Sequence, residues 1–126
     1  MNERAQPALQ TAVVAKLQAG RPVTLTEAEA TYLVEALRQA VATALELPPA
    51  ELTDDARLFD ELGLDSIDVF DVLDQLSERF EVPLALEELP ESFLRGGAEA
   101  SFRDFAEGLL RHFRAPPAVP RPPDGR

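Results

Sequence analysis

Apolar residues recur at helical spacing along most of this chain, and this periodicity restricts the fold more than any other feature. The clearest case follows Thr26, which precedes Glu29 by three positions, the spacing of a capping box. The apolar residues after it fall on one stripe of a helix, namely Leu33, Leu37, Ala40, Val41 and Ala44. Pro48 and Pro49 end this helix near Leu47.

Two more segments have the same periodicity. One covers residues 66–80, and Pro83 stops it. Its predicted core side comprises Val69, Val72, Leu73, Leu76 and Phe80. The other covers residues 101–114, and its apolar face comprises Phe102, Phe105, Leu109, Leu110 and Phe113. A short helix is also predicted over residues 85–93, where Pro90 interrupts the pattern. Because no segment has a convincing strand pattern, the sequence predicts an all-α bundle of about four helices.

The connection between the first two of these helices is a long loop over residues 48–65. Its apolar residues are expected to pack back onto the core, and they are Leu52, Leu58, Phe59 and Leu62. At the other end, residues 115–126 contain five prolines, which predicts an extended and mobile tail.

An N-terminal extension over residues 1–25 has a short helical pattern at positions 7–19, which a glycine and a proline stop. A helix of this length is marginal by itself, so it must dock on the domain, dock on a partner, or fray. The predicted division of the chain is therefore this extension, a folded domain over residues 26–114, and a proline-rich tail over residues 115–126.

The composition excludes several classes of protein. A net charge of −11 and a pI near 4.4 oppose binding to nucleic acid or anionic lipid and favour basic protein partners. Without cysteine, the chain has no disulfide framework and no thiolate metal site. Its start has no apolar signal core, and no apolar run is long enough to span a membrane. We expect a soluble, cytoplasmic protein that is a monomer.

Ser66 is the main candidate for covalent chemistry. Gly63 provides a turn, and the serine then stands at the start of the second helix with Asp65 directly before it. The position suits an N-cap, since a serine oxygen can accept a hydrogen bond from a backbone N–H of the first turn. Taken without its neighbours, the serine could be only such a cap.

The side of the second helix opposite its core carries three carboxylates and one aliphatic residue, in the row Ile67, Asp71, Asp74 and Glu78, with Asp68 beside it. Such a row can be an ordinary solvated face. However, like charges three or four positions apart destabilise a helix, and an aliphatic residue on this side is not needed for the core. The row therefore favours a docking face for a basic partner.

Two other chemistries find little support. His112 could be a general base, but we expect an exposed surface residue beside Arg111 on the last helix. A serine hydrolase would also need an orienting acid and an oxyanion hole. The aspartates between residues 60 and 74 lack the spacing, central glycine and terminal glutamate of a calcium-binding loop.

The stretch from Leu58 to Ile67, Leu-Phe-Asp-Glu-Leu-Gly-Leu-Asp-Ser-Ile, resembles the prosthetic-group site of acyl carrier proteins. The resemblance extends over roughly residues 28–114 and implies a four-helix carrier fold. It implies that Ser66 accepts 4′-phosphopantetheine from coenzyme A through a separate Mg²⁺-dependent phosphopantetheinyl transferase. Asp65 matches the aspartate that helps the transferase engage the site. The residues placed on the family's partner-recognition helix are Ile67, Asp68, Asp71, Asp74 and Glu78.

The resemblance also implies a function without catalysis by this chain. The arm holds acyl groups as thioesters and presents them to enzymes of fatty acid, lipid or polyketide-type biosynthesis that have basic docking patches. The extension, the long stretch over residues 81–100 and the proline-rich tail depart from the compact family pattern and favour a specialised carrier. The alternative is an unmodified carrier-like docking or regulatory module that binds basic partners through its acidic helix.

Overall fold

The computed structural model describes residues 5–20, 22–82 and 100–114. Its helices are α1 (Ala5–Ala19), α2 (Glu27–Leu45), a 3₁₀ turn (Pro49–Glu51), α3 (Ser66–Phe80) and α4 (Phe102–Arg114). Within these ranges there is no strand beyond one isolated bridge between Arg57 and Ser101, which confirms the predicted all-α fold. The predicted helix over 85–93 and the predicted tail over 115–126 lie outside the described residues. None of the described helices is long and apolar enough to cross a membrane.

The predicted capping box fixes the start of α2. Thr26 Oγ1 accepts from the Glu29 backbone N–H at 3.1 Å, and Glu29 Oε1 accepts from the Thr26 N–H at 2.9 Å. At its other end α2 stops at Leu45, because Glu46 adopts a left-handed conformation with φ of 60°. The helix thus ends two residues before Leu47, about half a turn earlier than the two prolines alone would require.

The core lies where α2 and α3 pack against each other, and α1 and α4 cover it. All five residues predicted for the core side of α3 are buried, as are four of the five on the α2 stripe, with Ala44 half-buried. The apolar face of α4 is buried apart from Leu110, which is half-buried. Burying a leucine or phenylalanine contributes about 1.5–3 kcal/mol, so these matched faces hold the helices together.

The extension docks on the bundle. Val13 and Leu17 of α1 are buried, and α1 contacts both α2 and α3. Lys16 Nζ donates to Glu29 Oε1 at 2.6 Å. This bond, followed by the one from the Thr26 backbone N–H, holds the pKa of the Glu29 carboxyl below its ordinary value. Of the three fates left open for the extension, the structure shows docking on its own domain.

The long loop packs back onto the core as predicted. Leu52 and Leu58 are buried, and Phe59 and Leu62 are partly buried. Backbone bonds also join the loop to the start of α4, since the Leu58 N–H donates to the Ala100 carbonyl at 3.0 Å. The loop therefore has a fixed course up to the beginning of α3.

His112 is buried, so the prediction of an exposed histidine was wrong. It lies seven residues after Phe105 and three after Leu109, which places it on the edge of the apolar face of α4. Its ring meets that of Phe113 edge-on, with centroids 5.2 Å apart. The sequence neighbour Arg111 was therefore a poor guide to its exposure.

Candidate functional site at the start of α3

The N-cap of α3 is Asp65, and the prediction of Ser66 as N-cap was wrong. Asp65 has extended backbone (φ −125°, ψ −178°), and its Oδ1 accepts from the Asp68 N–H at 2.9 Å. Asp68 Oδ2 in turn accepts from the Asp65 N–H at 3.1 Å. A carboxylate at this position also meets the positive end of the helix dipole, which explains why the helix begins here. Ser66 is instead the first helical residue.

Ser66 is not the residue that caps α3, so capping does not explain why a serine stands at this position. The capping bond that this interpretation assigned to the serine is made by the preceding aspartate. A structural requirement for an N-cap therefore accounts for Asp65 and not for the residue after it. The serine still stands at the first helical position, within the turn where a helix favours a bound phosphate.

The turn before the helix is held on both sides. Gly63 has φ of +78°, a conformation in which glycine avoids the strain of a Cβ. Next to it, Leu64 is buried, and its N–H donates to the Leu58 carbonyl at 2.9 Å. On the other side, the Leu62 N–H donates to the Arg57 carbonyl at 3.1 Å. The turn thus presents the start of α3 in a fixed direction.

The predicted partner face is exposed. Ile67 has 75% of its surface accessible, and Asp71, Asp74 and Glu78 are also exposed, while Asp68 is intermediate. These residues therefore lie together on one outer side of α3, next to its first turn. An aliphatic side chain so accessible is unusual for a helix in a bundle, where such residues normally face the core.

Phe70 belongs to the same surface and was missed by sequence reasoning. Its side chain is 53% exposed, and it follows Ile67 by three positions, which makes the two neighbours on the helix surface. They are the exposed large apolar residues among the described positions. The spacing from Ile67 was the signal that could have identified Phe70.

The charge of this face is uncompensated in the part of the chain that the structure describes. None of the carboxylates of Asp71, Asp74 and Glu78 forms an ion pair there. The basic residue on α3, Arg79, points to α2, where its Nη1 donates to Gln39 Oε1 at 2.9 Å. The acidic row is therefore free to meet a cation from another molecule.

None of the described cavities is lined by residues of this site. An open groove of about 550 Å³ lies between α2 and α4, and its lining includes Val34, Phe102 and Leu110. None of the residues around Ser66 borders it. The start of α3 is thus an outer surface: Gly63, Asp65 and Ile67 are all exposed, which leaves room for a long flexible group.

Residues 35–92 match a family model described as the phosphopantetheine attachment site, a stretch that contains the whole of α3 and the turn before it. No solved structure gives a significant match to the chain. Together, the helical fold and the matched segment are consistent with a carrier domain of the acyl carrier protein family.

Such a domain is the attachment site for covalent 4′-phosphopantetheine. Carrier domains of this family are generally not catalysts; they interact with a phosphopantetheinyl transferase and with biosynthetic enzymes. The start of α3 fits the group: the helix N-terminus favours a phosphodiester, and the exposed residues on either side leave its arm space.

Proposed function

We propose that Ser66 is the residue that carries 4′-phosphopantetheine. The observation that supports this most directly is its position as the first residue of α3, inside the matched segment and directly after the Asp65 cap. In the loading step, the Ser66 oxygen attacks the pyrophosphate of coenzyme A. A phosphodiester to serine forms as the pyrophosphate bond breaks, the nucleotide bisphosphate leaves, and the serine proton passes to the transferase. The bound arm supplies a thiol, which holds acyl groups as thioesters.

The chain's own residues have two roles in this proposal. Asp65 shapes the first turn of α3 and meets the transferase. The outer face of α3 docks the transferase and the acyl-handling enzymes, and it comprises Ile67, Asp68, Asp71, Asp74 and Glu78. We include Phe70 in this face because its side chain is exposed. The exposed carboxylates of Asp71, Asp74 and Glu78, which form no ion pair among the described residues, steer a basic partner toward the arm. The two apolar residues provide contact area once the partner arrives.

We further propose a specialised, monomeric carrier of the cytoplasm that serves fatty acid, lipid or polyketide-type biosynthesis. In this proposal residues 26–114 are the carrier domain, with an N-terminal extension over 1–25 and a proline-rich segment over 115–126. The support for specialisation is the docked helix α1, which lies outside the matched residues 35–92. The chemistry on the arm would belong to the partner enzymes.

Loading in vitro tests the attachment residue. The protein is incubated with coenzyme A, Mg²⁺ and a broad-specificity phosphopantetheinyl transferase, and its intact mass is measured. We expect a gain of one phosphopantetheine in the wild type and in Ser77→Ala, a serine control on the same helix, and no gain in Ser66→Ala. No gain with several transferases would instead favour the unmodified docking module.

A further inference from the structure

Helix α1 makes hydrogen bonds to the C-terminal end of α3. Gln10 Nε2 donates to the Arg79 carbonyl at 2.6 Å, and Gln18 Nε2 donates to the Glu81 carbonyl at 2.8 Å. The last carbonyl groups of a helix have no partner within it. Two glutamines of one helix therefore cap the end of another, and each does so through a side chain whose amide can donate.

The Arg79 side chain is held by the same assembly. Its Nη2 donates to the Tyr32 hydroxyl at 3.2 Å, and that hydroxyl donates to Gln10 Oε1 at 2.8 Å. The ring is closed by the bond from Gln10 to the Arg79 carbonyl, so it passes through α1, α2 and α3. The Tyr32 ring also meets Phe80 edge-on, with centroids 6.2 Å apart. Both the backbone and the side chain of Arg79 are thus fixed.

The end of α3 is a place where such support matters. Glu81 has φ of 57°, a left-handed conformation that residues other than glycine rarely adopt. The N–H groups of Glu81 and Val82 both donate to the Ser77 carbonyl, so hydrogen bonds within this segment close the turn. The hydrogen bond from Gln18 of α1 to the Glu81 carbonyl adds a contact from a second helix to the same residue.

Helix α1 is seated independently of these two glutamines. Val13 and Leu17 are buried in the core, and Lys16 pairs with Glu29 at 2.6 Å. The glutamine bonds can therefore be removed while α1 keeps its apolar contacts and its ion pair. This separation makes their contribution measurable.

We infer that α1 is an intramolecular clamp that fixes the last turn of α3 and the direction in which the chain leaves it. Glu78, the distal carboxylate of the docking face, lies in that turn, so the extension sets where this part of the face is presented. That consequence rests on the proposed function of the face, whereas the clamp itself does not. The extension is then part of how the carrier displays α3 and not an appendage to it.

Hydrogen exchange of the full-length protein tests the clamp. In Gln10→Ala/Gln18→Ala we expect amides 78–82 to exchange about fivefold faster for each bond removed. Amides 68–70, at the other end of α3, should keep their rates. Thr11→Ala, at an exposed position of α1, is the matched control and should change neither end. Gln18→Glu provides a second variant, because it removes one donor and places a carboxylate at the negative end of α3.

The outcomes distinguish the clamp from the proposed function. Unchanged exchange at 78–82 in both variants, or equal acceleration at both ends of α3, would overturn the clamp. Loading of Ser66 by the transferase is followed in the same samples as a separate readout, since Ser66 lies about 20 Å from the clamped turn at the other end of α3. Failure of loading in the wild type would count against the proposed function and leave the exchange result standing.

Discussion

Charge reversal on α3 tests whether its acidic face recruits partners. In the triple variant Asp71→Lys, Asp74→Lys and Glu78→Lys, the net charge changes by +6, from −11 to −5. All three side chains are exposed and, among the described residues, unpaired, so their replacement breaks no internal bond. Like charges remain at the same spacings, and α3 therefore keeps about the same internal repulsion. We expect nearly unchanged helicity by circular dichroism.

The expected effect on loading follows from the exposure of these residues. An exposed ion pair contributes roughly 0.2–1 kcal/mol, so the loss of three contributes roughly 0.6–3 kcal/mol. This corresponds to a decrease of about 3- to 150-fold in the kcat/KM of the transferase for the carrier. The decrease should be largest at low ionic strength and should shrink as salt screens the wild-type attraction.

A charge-matched variant separates the face from the total charge. Glu27→Lys, Glu51→Lys and Glu107→Lys make the same change of +6 at exposed positions outside α3. This control should retain most of the wild-type kcat/KM. The reasoning is refuted if the α3 variant keeps both its kcat/KM and its salt dependence, or if the control loses as much as the α3 variant.

Three further predictions concern the supports of the site. Gly63→Ala should lower the free energy of unfolding by about 1 kcal/mol in urea titrations, because φ is +78° although no atom lies within 4 Å of the added Cβ; an unchanged value would contradict this. Asp65→Ala should lower the free energy of unfolding by about 1 kcal/mol, because it removes the N-cap of α3. Asp65→Asn should keep the stability but be loaded more slowly by the transferase. Loading of Asp65→Asn at the wild-type rate would contradict a role of Asp65 in transferase recognition. Since Lys16 lowers the pKa of Glu29 in the folded protein, the stabilising effect of that carboxylate is complete above pH 4.5 and is lost as the pH falls through the lowered value. The stability difference between wild type and Glu29→Gln should therefore be constant from pH 7 to 5 and decrease in more acidic urea titrations, and a difference that grows toward acid would contradict the pairing.

Local features of the fold were predictable from the sequence because they depend on residues close in the chain. The Thr26 capping box and the buried side of α3 follow from spacing alone, and the structure has both. The exposure of Ile67 was predictable for the same reason. For the buried side of α3 and for Ile67, the periodicity of the helix decides which side a residue occupies.

The errors arose where neighbouring positions compete or where distant segments meet. Asp65 and Ser66 are both good N-caps, and only the backbone shows that the N-cap of α3 is the earlier of the two. His112 lies at the edge of a helix face, where burial depends on what packs against it. The bonds from Gln10 and Gln18 to the end of α3 span more than 60 positions, and no local pattern contains them.

The most direct test of the central claim is to locate the modification within the loaded protein. Trypsin releases the peptide that follows Arg57 and ends at Arg79, in which Ser66 and Ser77 are the two hydroxyl residues. Fragmentation of this peptide by tandem mass spectrometry after loading assigns the added mass to one of them. We predict that phosphopantetheine is on Ser66; its presence on Ser77, on another peptide, or on none would contradict the account.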